Sequence, residues 1–121
     1  MSPSIGDIAQ KIHFVVCSHA SGTAADSGDN TLVAAPGAGL RLVIRQFVVE
    51  NEDGDETTAI LKQGATAVKR RLTTAKGDGL GVHYPIGGEW RLPENSALVL
   101  NLSAANTFGY SVEYLTERIR E

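Results

Sequence analysis

The chain has a single cysteine, Cys17, which removes any internal disulfide and any zinc or iron–sulfur centre built on several thiolates. That usage fits folding in a reducing compartment. No apolar run approaches the roughly 18 to 20 residues that a membrane span needs. The opening MSPSIGDIAQ lacks the basic and apolar regions of a secretion signal, so the expectation is synthesis in the cytoplasm with no membrane partner. An excess of basic charge is missing as well: Lys and Arg total 11 against 14 Asp and Glu, for a net charge of −3. Such a balance gives no broad attraction to nucleic acid, and the expected partner is protein.

What is present is glycine, hydrophobic residues and alternation. A chain of 121 residues with 13 glycines, four prolines and 42% hydrophobic residues is one loop-punctuated globular domain. Residues 1–11, with Pro3, Gly6 and scattered aliphatics, carry no strand alternation and read as an N-terminal arm. Residues 12–121 read as a single domain. From Lys11 the period is two, Phe14 and Val16 against His13, Val15 and Cys17, which predicts a first strand. Ser18 to Asn30 is small and polar and reads as a surface loop. Thr31–Ala35 begins a short strand, closed by the Pro36–Gly37 turn.

Leu40 to Glu50 is apolar on both sides, with Leu40, Leu42, Ile44 and Val48 on one face and Val43, Phe47 and Val49 on the other. A strand oily on both faces implies that its second face is also covered, and another subunit is the expected cover, with the N-terminal arm or the 18–30 loop as the alternative. A dimer would serve that purpose as well as a trimer. Asn51 to Glu56 reads as a solvated acidic hairpin tip before the strand Thr57–Gln63. Further strands follow at Val68–Thr74, Leu80–Tyr84, Trp90–Leu92, Leu98–Leu102 and Phe108–Tyr114, before a charged tail from Leu115. Eight or nine short strands with no helix predict an all-β fold, an antiparallel sandwich of the jelly-roll kind with an immunoglobulin-like sandwich as competitor.

Signs of chemistry are sparse. The stretch APGAGL (Ala35–Leu40) lacks the Gly-Lys-Ser/Thr ending of a phosphate loop. His13, His19 and His83 have no ligand spacing, and the acidic tip does not match a calcium loop. Ser18–His19 and Cys17 have no third group to orient a base, and Glu89 with Glu94 flanks a turn, where solubility explains both carboxylates. Lys69, Arg70 and Arg71 are split between two strand faces and have no interleaved aromatics for base stacking. No enzyme activity, metal, cofactor or nucleic-acid partner is expected.

Two stretches, LVAAPGAGLRLVI (Leu32–Ile44) and GDGLGVHYPIGGEWRLPENSALVLNLSAANTFGYSVEY (Gly77–Tyr114), resemble small all-β proteins encoded in tailed-phage structural gene clusters. The resemblance rests on a glycine turn entering a long strand, a glycine-rich middle strand, a tryptophan ahead of a leucine-alternating segment, and a final aromatic strand. It implies a jelly-roll module that trimerises on phage particles as a capsid decoration (cement) protein. The implied partners are the major capsid protein and further copies of itself, and the implied location is the outer capsid surface of the virion. On this reading Ile5 and Ile8 of the arm contact the capsid lattice, and Val43, Phe47 and Val49 form the seam between subunits. The alternative is a tail- or head-fibre module that binds a receptor or carbohydrate, with Trp90, Tyr84 and Tyr110 as its aromatic groove.

Overall fold

The computed structural model describes residues 17–119. The arm, Ile5, Ile8 and the strand expected over residues 11–16 lie outside the described residues. Nine strands and no helix make up the rest: β1 (Ser18–Ala24), β2 (Gly28–Val33), β3 (Leu40–Asn51), β4 (Thr57–Gln63), β5 (Thr66–Thr73), β6 (Gly79–His83), β7 (Trp90–Arg91), β8 (Leu98–Leu102) and β9 (Phe108–Arg118). One sheet has the order β1-β9-β3-β6, with β7 also pairing β3, and the other the order β2-β8-β4-β5. Every ladder is antiparallel.

With the two-residue β7 set aside, the first long strand pairs the last, the second pairs the second-last, β3 pairs β6 and β4 pairs β5. A long hairpin rolled so that successive pairs fall into alternate sheets is a jelly roll. The expected fold class is therefore the observed one.

The core is the slab between the sheets. Period-two alternation supplies it: Leu98, Leu100 and Leu102 from β8 meet Leu42, Ile44, Phe47 and Val49 from β3 and Phe108 and Val112 from β9, all at most 1% exposed. Each such side chain contributes about 1.5–3 kcal/mol on leaving water. Phe47 packs edge-on against Trp90 with ring centroids 6.1 Å apart, and Tyr84 lies 6.4 Å away on the same ring. The Pro36–Leu40 turn enters β3 with Gly37 at φ 113° and Gly39 at φ 77°, a conformation open to glycine. Its amides are held by Asn95 Oδ1 and Glu94 Oε2, at 2.9 Å and 2.7 Å.

Four expectations are corrected. Ser18–Asn30 is not a loop, because β1 pairs β9 across Ser18–Ala24 and β2 starts at Gly28. Edge strands draw their order from one neighbour's hydrogen bonds, and so they form without an apolar stripe of their own. Asn51–Glu56 is not a hairpin tip, since β3 and β4 belong to different sheets and the segment is a corner between them. Its acidic side chains are exposed as expected, but Asn51 is wholly buried. Asn51 Oδ1 accepts from the amides of Asp53 and Gly54 at 3.0 and 2.9 Å, and its Nδ2 donates to the Asp55 carbonyl at 2.7 Å. The expected charged tail is the end of β9, paired with β3 through Arg118.

The fourth correction concerns Val43, Phe47 and Val49. The β3–β9 register pairs Ile44 with Tyr114 and Gln46 with Glu113, leaving Arg45 without a partner. This bulge reverses the parity of the strand. Phe47 and Val49 turn inward and join Leu42 and Ile44 in the core, both at 0% exposure. Val43 stays on the outer side opposite Leu115 and Arg91 but is only 2% exposed. None of the three has surface left to give to a neighbouring subunit.

Candidate functional site

The two outer sheet faces differ in what covers them. On the β2-β8-β4-β5 sheet, polar side chains span the strands: Lys62 Nζ donates to Asp29 at 3.0 Å, and Asn101 Nδ2 donates to the same carboxylate at 2.7 Å. The hydrogen bond from Asn101, with the Lys62 ammonium beside it, holds the Asp29 carboxyl below the usual range. The edge strand β5 carries Lys69, Arg70 and Arg71, charges that guard an open strand against edge-to-edge pairing.

On the outer face of the β1-β9-β3-β6 sheet the row of His19, Glu113, Gln46 and His83 is polar, and beside it lies a patch of small residues. Pairing places Ser21, Ser111, Val48 and Gly81 in one row across the four strands, and Thr23, Gly109, Glu50 and Gly79 in the next. The floor is made of glycine, serine and threonine. Val48 stands in the middle at 46% exposure, with hollows on either side. The larger, of about 370 Å³, lies over β1 and β9 between Ser21, Gly22, Gly109 and Ser111, and is edged by Glu50 and Glu52. On the other flank a hollow of about 190 Å³ runs over Gly77, Gly79 and Gly81. Gly79 is fixed by close backbone approach, since a Cβ there would collide with the Val49 carbonyl oxygen and lie 2.9 Å from Glu50 Cα. Sequence reading missed this face because it assigned Val48 inward. One signal was available: core positions 42, 44, 47 and 49 are spaced two, three and two apart, and the three marks the bulge.

Beyond this sheet the turn Pro85–Gly88 presents Ile86, 89% exposed. The turn is well fastened. Gly88 N–H donates to the Pro85 carbonyl at 2.9 Å, Gly87 N–H donates to Glu89 Oε1 at 3.0 Å, and Gly87 takes φ 89°. Backbone amides, foremost its own and that of Gly87, keep the Glu89 carboxyl below its ordinary range, and Arg91 lies 3.6 Å away.

The remaining sequence candidates do not converge. His19 lies beside Ser111, with Nε2 3.4 Å from Oγ, rather than beside Ser18. It is opposite Glu113 in the ladder, yet no carboxylate hydrogen-bonds it among the described residues, so the base lacks the orienting partner that nucleophilic catalysis needs. His83 sits three strands away, on β6 at the opposite edge of the sheet. Cys17 accepts a hydrogen bond from Arg45 Nη1 at 3.1 Å. Glu94 and Glu89 each fasten a turn amide, a structural task for the carboxylates that sequence reading assigned to solubility. Asp53 Oδ2 accepts from the Thr107 amide at 2.6 Å, tying the acidic corner to the loop ahead of β9. Among the described residues no group of three metal-ligating side chains comes together, and no helix is long and apolar enough to cross a membrane. Trp90, Tyr84 and Tyr110 lean on the core, and of the three only Tyr110 also lines the larger hollow, so they do not form one aromatic groove. Trp90 Nε1 donates to Gln63 Oε1 at 3.2 Å.

No family model, no curated protein and no solved structure matches the chain.

Proposed function

We propose that this chain is a non-enzymatic capsid decoration (cement) protein of a tailed phage. On this reading it binds as an oligomer to the outer surface of the shell between capsomers and strengthens it, with the major capsid protein and its own copies as partners. The observation that carries the reading is the jelly-roll topology, combined with where the resembling residues fall in it. The PGAG turn leads into β3, the glycine-rich segment is β6, Trp90 opens β7, and the leucine and aromatic alternations are β8 and β9. The patch of small residues around Val48 adds support, because glycine and serine positions admit close approach of another surface.

A protein that binds only the expanded lattice stabilises that lattice by mass action, and an oligomer that engages several sites at once gains avidity. The test adds purified chain to expanded shells assembled from the major capsid protein of the same genome. Stoichiometric binding with a raised temperature of shell disruption is the expected result. Shells that neither bind the chain nor melt differently in its presence overturn the proposal.

A further inference from the structure

We infer that residues 11–16 dock as a strand on the free edge of β9 within the same copy, carrying β1 back from Ser18 toward the Pro36–Leu40 turn. The inference goes beyond the decoration reading and holds whether or not the chain meets a shell.

β9 is longer than the strand beside it. On one side it pairs β3 from Phe108 through Arg118, and the Ile119 amide still donates to the Gly39 carbonyl at 2.9 Å. On the other side its ladder with β1 stops at Tyr114, opposite Ser18. Among the described residues, Leu115–Arg118 is therefore paired on one side only, and a strand edge of that kind is a template for one more strand. Its core-side positions are uncovered as well. Val112 is wholly buried and Leu42, opposite Thr116, is 1% exposed, yet Thr116 and Arg118 themselves are exposed. Beside the end of the strand a hollow of about 270 Å³ opens between Ala38, Gly39, Leu40, Arg118 and Ile119.

The occupant is set by where the chain arrives. Cys17, the residue ahead of β1, accepts a hydrogen bond from Arg45 Nη1 at 3.1 Å. Arg45 belongs to β3, so this contact spans β9 and holds the incoming chain on the sheet. Extending the β1–β9 register residue by residue puts Val16 opposite Thr116 and Phe14 opposite Arg118, with Cys17, Val15 and His13 at outer positions. The alternation of KIHFVVC (Lys11–Cys17) is thus in phase with the sheet. Phe14 and Val16 fall at the two uncovered core-side positions, Phe14 in the row of Leu40 and the hollow. A slip of one residue would send both to the outer face. The same copy supplies the strand because Ser18 is already paired, so no loop has to close. Residues 1–10 then leave the sandwich at the end that carries the Pro36–Leu40 turn and Asn95, which fastens it.

The experiment uses the full-length chain in a Cys17→Ser background. Val16→Cys with Thr116→Cys is expected to oxidise to a disulfide at monomer mass, because opposed residues of an antiparallel pair lie within disulfide reach. Val16→Cys with Glu117→Cys, which the register sets on opposite faces, is expected to stay reduced. Hydrogen exchange gives a second readout. The double variant Phe14→Asp, Val16→Asp is expected to speed exchange over Leu115–Arg118 on the order of tenfold or more, for the lost burial of two apolar side chains. Amides of β5, at the far edge of the other sheet, are expected to keep their rates. A first pair that stays reduced or bridges only between copies, equal oxidation of both pairs, or exchange over Leu115–Arg118 indifferent to the two aspartates overturns the inference.

Discussion

Val48 and Leu72 are aliphatic side chains on outer faces of the two sheets, exposed to a similar degree at 46% and 52%, and their surroundings could hardly differ more. Leu72 stands on a strand that carries Lys69, Arg70 and Arg71, in a sheet whose outer side is laced by Lys62, Asp29 and Asn101. Val48 stands over glycines and hydroxyls with a hollow to each side. An exposed aliphatic residue alone says little. Its neighbours decide whether it is a stray methyl group on a solvated surface or the centre of a place where another surface fits.

The largest effect expected from substitution lies one residue from Val48, on the inner side of β3. Phe47→Ala empties the middle of the core and should cost about 3–5 kcal/mol, whereas Val48→Ala should stay within about 0.5 kcal/mol. Denaturant melts of the two variants measure the difference directly, and equal costs would remove the bulge that separates them. Next comes the corner. Asn51→Ala strips hydrogen bonds from the amides of Asp53 and Gly54, from the Asp55 carbonyl and from the Thr73 hydroxyl. Burying those groups unpaired should cost about 1–3 kcal/mol, read in the same melts.

Acid probes the solvated sheet. Asp29 has a folded-state pKa depressed by Asn101 and Lys62. A depressed carboxyl contributes stability above its unfolded value and loses it as pH falls through the folded one. The melting temperature should therefore hold from neutrality down to the ordinary aspartate range and decline below it. Asp78, held low by the Thr74 amide, and Glu89 act in the same direction. Asp29→Asn should shallow that decline without abolishing it. The smallest effect is expected at Leu72, 52% exposed, where Leu72→Ser should change neither stability nor shell binding, in contrast to Val48→Asp, which should weaken shell binding.

Much of the fold is legible in the sequence, because strands with one buried side declare it by alternation. Leu98, Leu100 and Leu102, and Phe108, Tyr110, Val112 and Tyr114, face inward as their spacing requires. β1 is not legible. Its residues SHASGTA are ordered by β9 and not by an apolar pattern of their own. The corner at Asn51 imitates a hairpin because acidic residues and a glycine suit any sharp exit, and a change of sheet leaves no mark in composition. At β3, apolar residues at both parities conceal the bulge, so that Phe47 and Val49 exchange sides with Val48. The candidate site was lost for that reason: of the residues named for the seam, Phe47 and Val49 belong to the core and Val43 is buried on the outer side, and the residue assigned to the core is the one that faces out.

Hydroxyl-radical footprinting of the full chain, free and with expanded shells, sets Val48 against Leu72 as an internal reference. Val48 is expected to lose labelling as the chain assembles on shells, while Leu72 keeps its rate. Labelling of Val48 that parallels Leu72 with and without shells would contradict this.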